Sequence, residues 1–419
     1  MNKTLIALLL LLGGASCANW AVLVAGSNGF YNYRHQADIC HAYQTLIKGG
    51  IPAANIIVFA FDDIALSPSN PIKGKIFNKP NGPDVYAGCK IDYKGNDVTP
   101  INFLNVLKQN AAAMSKIGTG RVLQSGPNDK VFINFSDHGA PGLIAFPSTY
   151  LYATDLNPVL NSMWTKKQYQ ELVFYLEACE SGSMFQGFPS NQKLYALTAA
   201  NPTESSWADY CPPQDMIGSI EIGSCLGDLF STNWMEDTDA SNTANESLNL
   251  QYTRVQTLTT QSHVMQYGDL SFQSETVNNF IGNQNPSKVS QAEVENRQAS
   301  LVNSRDVKLM YLVNRHAKLL SAESSNELNE EIKSRRHYDE LFKAVASVTG
   351  EVAFAETTDF ECYKDMITTM EDSCQERTSD YGLKYFRNLF NICASESTNK
   401  VAVKLAMMKV CAHKLTVSA

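Results

Sequence analysis

Val131-Phe-Ile-Asn-Phe-Ser-Asp-His-Gly139 is the stretch that decides the fold. Its first five residues lack the polar alternation of a half-exposed strand, so they read as a strand buried on both faces, feeding a polar loop. The pattern recurs along the chain. Ala21-Val-Leu-Val-Ala25 ends in Gly26-Ser-Asn-Gly29, and Ile56-Ile-Val-Phe-Ala-Phe61, Leu172-Val-Phe-Tyr-Leu-Glu177 and Leu194-Tyr-Ala-Leu-Thr198 are further apolar runs. Between them His35 to Lys48, stopped by Gly49-Gly50, and Thr99 to Met114 read as helices. Strands alternating with helices imply right-handed crossovers and a mainly parallel α/β sheet flanked by helices, here expected over 19–283.

The ends of the chain read differently. Lys3 precedes the apolar run Leu5 to Leu12 and the small residues Gly13 to Ala18. That is the form of a secretory signal peptide, 1–18, with cleavage after Ala18. A lipoprotein reading through Cys17 is weaker, because Gly14 fits poorly three residues before it. The apolar run is too short to span a bilayer and no second long one follows, so no membrane partner is expected. Residues near 284–300 are polar, and helical patterns then run to the C-terminus. We expect a linker over 284–330 and an all-helical module over 331–419. The net charge is −8, and 19–283 holds 15 basic against 23 acidic residues. Without clustered Lys and Arg there is no footprint for nucleic acid.

Of ten cysteines, nine follow the signal segment. An odd number in an oxidising compartment leaves at least one thiol free. Four crowd the C-terminal module, as in a disulfide-stapled fold, and Cys211 and Cys225 flank a short loop that they would close. The free set then includes Cys40, Cys89 and Cys179, two of them inert core thiols.

Ligands bind beyond the carboxyl ends of strands in such sheets, which singles out three loops. Ser136-Asp-His-Gly139 offers an imidazole at a strand end, unless His138 is simply a surface turn residue. Leu176-Glu-Ala-Cys-Glu-Ser-Gly-Ser183 offers Cys179 where a nucleophile would stand, although a lone strand-end cysteine also reads as a buried thiol. Together they put a base and a thiol at one edge of one sheet, and a thiol needs such a neighbour to attack near neutral pH. The amides of Cys179 and Gly139 would form an oxyanion hole. Gly26-Ser-Asn-Gly-Phe-Tyr-Asn-Tyr-Arg-His35 is either a substrate loop offering Asn32 and Arg34 or a cap on the helix near His35. Its glycine spacing excludes a dinucleotide fingerprint. The seven histidines show no metal-ligand spacing, so no metal or cofactor is expected.

These motifs, with Thr198-Ala-Ala-Asn-Pro-Thr-Glu-Ser-Ser206, Asp62-Asp-Ile-Ala65, Asn81-Gly-Pro-Asp-Val-Tyr86, Asn233-Trp-Met-Glu-Asp237 and Ser262-His-Val-Met-Gln-Tyr-Gly268, resemble legumain. That family comprises the asparaginyl endopeptidases or vacuolar processing enzymes, caspase-like cysteine peptidases, and the resemblance covers essentially the whole chain. It implies a caspase-like domain, an activation segment and a helical prodomain that covers the site. It implies Cys179 as nucleophile, His138 as base, Asn32 as the third catalytic residue and Gly139 with Cys179 as the oxyanion hole. An asparagine pocket of Arg34, His35, Glu177, Ser206 and Asp228 follows, as does a succinimide at Asp137. Physically, such a pocket offers donor and acceptor to both ends of an amide and accepts aspartate only when protonated. The family bridges would be Cys362–Cys393 and Cys374–Cys411, while the Cys211–Cys225 closure is more like the plant enzymes. Activation is expected to be autolytic at acidic pH, at Asn326 with Asn314 and Asn329 as alternatives. Implied partners are peptide and protein substrates, the prodomain as inhibitor, and cystatin-type inhibitors, in the secretory pathway, a lysosome or vacuole, or outside the cell. The competing enzyme reading is a peptide asparaginyl ligase using the same site, and a non-catalytic relative is disfavoured because both thiol and imidazole are present. Asn245 (Asn-Glu-Ser) is the glycosylation candidate, since the Asn134 sequon falls in a buried strand.

Overall fold

Six strands carry the architecture in a computed structural model that describes residues 17–284, 300–350, 352–355 and 357–418, with side chains to residue 412. Residues 1–16 of the expected signal segment and 285–299 of the expected linker lie outside the described residues. The strands are Asn19–Ala25 (β1), Ile56–Phe59 (β2), Lys130–Ser136 (β3), Glu171–Glu177 (β4), Leu194–Thr198 (β5) and Met265–Gly268 (β6). They form one sheet in the order β6-β5-β4-β3-β1-β2. All neighbours are parallel except the edge strand β6. The sequence does not announce β6, because all four of its residues are only half-buried and no apolar run marks them.

Alternation along each strand fills two cores. Val22, Val24, Ile133, Phe135, Phe174 and Leu176 face one side, where helices Pro100–Leu107 and Ala153–Thr165 supply Phe103, Leu107, Leu156 and Leu160. Ala21, Leu23, Phe132, Val173 and Tyr175 face the other, against Tyr33–Lys48 (α1), Leu229–Ala240 and Leu248–Leu258. With both faces covered, near-continuous apolar strands are what a parallel sheet requires. Ala25, Ser136 and Glu177 stand abreast in register. The three loops that follow β1, β3 and β4 therefore leave the sheet at one level.

The expected helix Thr99 to Met114 is two elements. The Thr99 side chain caps the first by accepting from Asn102 N, and Pro100 opens it. It stops at Leu107 because Gln109 is left-handed (φ 58°) and Asn110 caps a separate turn at Ala111–Met114. Cys40 and Cys89 also correct the sequence reading, since they form a disulfide rather than two core thiols. One sits on the buried face of α1 and the other in a loop 49 residues on, a pairing that spacing alone does not reveal. The other bonds are Cys211–Cys225, Cys362–Cys393 and Cys374–Cys411, which leaves Cys17 and Cys179 free. Of the two sequons, Asn134 is fully buried and Asn245 exposed.

Beyond residue 300 the chain returns to the site before it becomes a bundle. Residues 300–330, placed in the linker by the sequence, contain the strand Val302–Asn303, helix Val307–Leu319 and the start of helix Ala322–Thr349. Helices Phe360–Cys374, Phe386–Ala394 and Lys400–Ser418 complete the module. The core of this bundle takes in Ala140, Leu143, Ala145 and Tyr150 from the small antiparallel sheet that follows His138. Residues of that small sheet and of the bundle thus share one apolar cluster, so docking is driven largely by burial. No helix among the described residues is long and apolar enough to cross a membrane.

Gly142 marks the contact. Its φ is +64°, and a Cβ there would lie 2.6 Å from the Phe360 ring. Gly142→Ala should lower the urea midpoint of the whole chain by an amount worth roughly 1–3 kcal/mol. In a Phe360→Ala background, part of that loss should vanish, because only the backbone cost of about 1 kcal/mol remains.

Candidate active site

The loop after β1 turns through a 3-10 segment, Phe30–Asn32, into α1. Asn32 occupies the N-cap position, yet its side chain makes no capping bond. Instead its Nδ2 donates to Asn28 O at 3.1 Å, and its Oδ1 lies 3.0 Å from His138 Nε2. The loop therefore serves the imidazole rather than the helix end. With Nε2 so engaged, Nδ1 of His138 is buried without a partner.

Cys179 follows β4 and is fully buried. Its Sγ accepts from the Ser206 amide at 3.3 Å and lies 3.6 Å from Ser206 Oγ. Gly139 presses on the same loop, and a methyl there would collide with the Cys179 carbonyl oxygen and touch Ala178. This is a close backbone approach that only glycine allows. The next residue, Glu180, is left-handed at φ 54°, held by its amide on Glu204 O at 2.7 Å. A non-glycine residue in that region stores strain that its surroundings must support.

Beside the thiol lies a buried charge cluster. Arg34 Nε bonds Asp228 Oδ1 at 2.8 Å, and its Nη1 reaches Asn32 Oδ1 at 3.2 Å. Glu177 Oε2 accepts from the Ser231 amide and hydroxyl at 2.9 and 3.1 Å. Two atoms are left over: Arg34 Nη2 and Glu177 Oε1, both buried and unpartnered. His35 meets Ser27 Oγ at 2.6 Å and Asp228 Oδ2 at 3.5 Å. Burial, then Arg34 and His138, push its imidazole well below the usual range, so it is neutral. Burial likewise pushes Asp137 up to about 7, against the pull of His138. His35, Asp137 and His138 each place one atom within 4.8 Å of the others, as do His337, Cys374 and Cys411. The latter two are already bonded to each other.

All the sequence-selected residues at the strand ends are brought together here, whereas Asn314, Asn326 and Asn329 are not. Those three lie within helices, away from the strand ends. The sequence reading missed the residues that cover the site. Val302–Asn303 pairs antiparallel with Trp207–Asp209, and Ser304 N donates to Ser206 O at 3.1 Å. Ser304 Oγ lies 3.1 Å from Ser206 Oγ. Arg305 Nη2 donates to Gly139 O at 2.9 Å and reaches Glu180 Oε2 at 3.3 Å. From the bundle, Arg387 Nη2 reaches Glu180 Oε1 at 3.3 Å, and Asp380 Oδ2 lies 3.2 Å from His138 Nε2. Two arginines and an acid, Arg305 and Asp380 in turns and Arg387 on a helix, carry no local sequence signal, since only the docked fold gives them partners.

Residues 19–283 match the peptidase C13 family, and residues 326–411 match the legumain prodomain. The chain is 42% identical to a legumain from Mus musculus, covering 94% of this chain and 92% of that protein. It is 41% identical to a vacuolar-processing enzyme from Vicia sativa, covering 91% of this chain and 83% of that one. Among solved structures it is similar to caspase-1 from Spodoptera frugiperda at 9% identity, with a TM-score of 0.36 over 65% of this chain and 92% of that chain.

Because Cys179 is sealed beneath residues 300–305 and the bundle, iodoacetamide should leave it unmodified in the intact chain. Arg305→Ala combined with Arg387→Ala removes both cations that hold Glu180. Mass spectrometry of tryptic peptides should then show alkylation of Cys179 rising at least tenfold.

Proposed function

Because the chain belongs to the peptidase C13 family, as a cysteine endopeptidase zymogen of the asparaginyl, legumain type, we propose that Cys179 and His138 cleave the bond after asparagine through a thioester. The observation that carries this reading is the pair of unpartnered atoms, Arg34 Nη2 and Glu177 Oε1. A primary amide has one acceptor and one donor end, so an asparagine side chain supplies what both lack. Alanine would leave both unpaired, and sites of this kind reject such analogues by roughly 10⁴-fold. An aspartate binds only if one proton is shared between its carboxyl and Glu177. Burial first, then Asp228, pushes Glu177 well above the ordinary carboxylate range, so that proton is held more readily here than in water.

In the reaction, His138 takes the Cys179 proton and the thiolate attacks the carbonyl carbon. The oxyanion is received by the Cys179 and Gly139 amides, with Asn32 orienting the imidazole through Nε2. The C–N bond breaks as His138 passes the proton to the leaving amine. Water then attacks the thioester, giving its proton to His138, and the thiol returns. The secretory route, with a lysosome, vacuole or the exterior as destination, is supported by the disulfides among the described residues.

The prodomain is the inhibitor in this reading. Ser304 takes the backbone position of the residue before a scissile bond, pairing with Ser206 O, but its short side chain leaves the two pocket atoms unmet. Asp380 then closes on His138. Acid opening follows from the sign of one shift. Burial raises Asp380, but His138, then Lys308 and Arg34, outweigh it and hold the carboxyl well below its ordinary range. A depressed carboxylate stabilises docking above its free pKa, near 3.9, and loses that contribution as pH falls below it. Glu180 has the opposite sign. Burial, opposed by Arg305 and Arg387, pushes it up to about 7, so docking takes up a proton there as pH falls. Asp380 is therefore the acid-sensitive latch.

Peptides with Asn, Asp, Gln, Ala or Lys before the scissile bond test the assignment in the acid-processed enzyme. Cleavage should be selective for Asn, gain Asp only at low pH, and vanish in Cys179→Ala. Equal rates across the series, or mainly ligated product when an amine is added, would contradict it. Asp380→Asn should weaken retention of the prodomain at neutral pH and flatten the fall in retention below about pH 4. Gel filtration of cleaved enzyme across pH reads both.

A further inference from the structure

Glu180 follows the nucleophile, and no step above gives its side chain a part in the reaction. Its backbone is fixed from within the catalytic domain. The amide donates to Glu204 O at 2.7 Å, and the carbonyl accepts from the Ser183 amide at 2.9 Å and hydroxyl at 2.6 Å. The carboxylate is held from elsewhere. Among the described residues its hydrogen-bonding partners are Arg305 Nη2 on Oε2 and Arg387 Nη2 on Oε1, each at 3.3 Å. The same two nitrogens also donate to backbone carbonyls, Arg305 to Gly139 O at 2.9 Å and Arg387 to Pro202 O. Both cations belong to the covering segment and the bundle, so all these acceptors lose those donors when the cover leaves. We propose that Glu180, with the carbonyl oxygens of Gly139 and Pro202, forms a subsite for a lysine or arginine side chain just beyond the scissile bond. It would select substrates that are basic on their leaving-group side. This rests on the reading of Cys179 and the asparagine pocket given above.

The order of the covering segment places this subsite. Ser304, whose amide donates to Ser206 O, stands in the proposed reading for the residue before the bond, and Arg305 is the next along the chain. The backbone turns there, because Asn303 accepts from Arg305 N through Oδ1 at 3.0 Å and from Asp306 N through its carbonyl at 2.8 Å. Arg305 therefore reaches the subsite with its side chain and not by an extended backbone. A long basic side chain on the first or second residue after the bond has the same reach. The chemistry of the walls is one-sided. A carboxylate and two carbonyl oxygens accept and none of them donates, which suits an ammonium or guanidinium. An acidic side chain would bring no donor and would meet a like charge. Under the cover, burial pushes Glu180 up to about 7. With both oxygens freed to water it returns toward the ordinary carboxylate range and carries its charge.

The test uses acid-processed enzyme and Asn peptides that differ only in carrying Lys, Leu or Glu at the first or second residue after the Asn. At one of these positions kcat/KM should be about tenfold or more higher for Lys than for Glu, the size of one charge-assisted bond, with Leu between them. In Glu180→Gln, whose backbone bonds are untouched, the Lys-to-Glu ratio should fall to within about threefold, since the fixed charge is gone. If that variant does not fold, the wild type alone decides. Its Lys-to-Glu ratio should shrink severalfold when salt is raised from about 0.05 M to about 0.5 M, as a pair open to water requires, and a ratio indifferent to salt overturns the subsite. Equal rates for Lys, Leu and Glu at both positions, or a Lys preference that survives Glu180→Gln, also overturn it and leave the asparagine assignment standing. Absence of Asn-selective cleavage by the wild type overturns both.

Discussion

The buried bond between Arg34 and Asp228, 2.8 Å long with neither side chain exposed beyond 1%, is the constraint on which the site depends. It ties the first turn of α1 to the strand Gly227–Asp228, two elements 194 residues apart in sequence. Removing two charges from water costs several kcal/mol each, and such a pair repays this only with good geometry and further hydrogen bonds. Here those further bonds are functional parts. Arg34 Nη1 meets Asn32, Asn32 meets His138, and Asp228 meets His35. The same pair that fixes the helix to the sheet therefore orients the imidazole and leaves Nη2 over for a ligand.

Register does the rest. Because Ala25, Ser136 and Glu177 end abreast, loops distant in sequence meet without any long excursion. That explains how much could be read from sequence. Apolar runs without alternation announced the parallel strands, and polar clusters at their ends marked where Cys179, His138 and Asn32 would gather. The edge strand Met265–Gly268, the break at Gln109 and the Cys40–Cys89 bond were not legible, since each is decided by a tertiary neighbour rather than by a local pattern.

The prodomain uses the same logic in reverse. Its apolar core continues into the hairpin that follows His138, which supplies affinity. Charged contacts at Glu180 and His138 supply register, and in the proposed reading the one at His138 is what acid loosens. Affinity and control thus rest on different residues. The segment at 300–305 pairs with the strand Trp207–Asp209, while leaving Arg34 Nη2 and Glu177 Oε1 without a partner.

The central claim is that Glu177 Oε1 accepts a hydrogen bond from the substrate amide. The most direct measurement is kcat/KM for matched Asn and Asp peptides with Glu177→Gln at neutral pH. A glutamine can turn a donor toward the ligand, so the Asn-to-Asp ratio should fall by about tenfold or more, the loss of a charge-assisted bond being ~1.5–3 kcal/mol. An unchanged ratio in a folded enzyme whose Cys179 still alkylates would contradict the account.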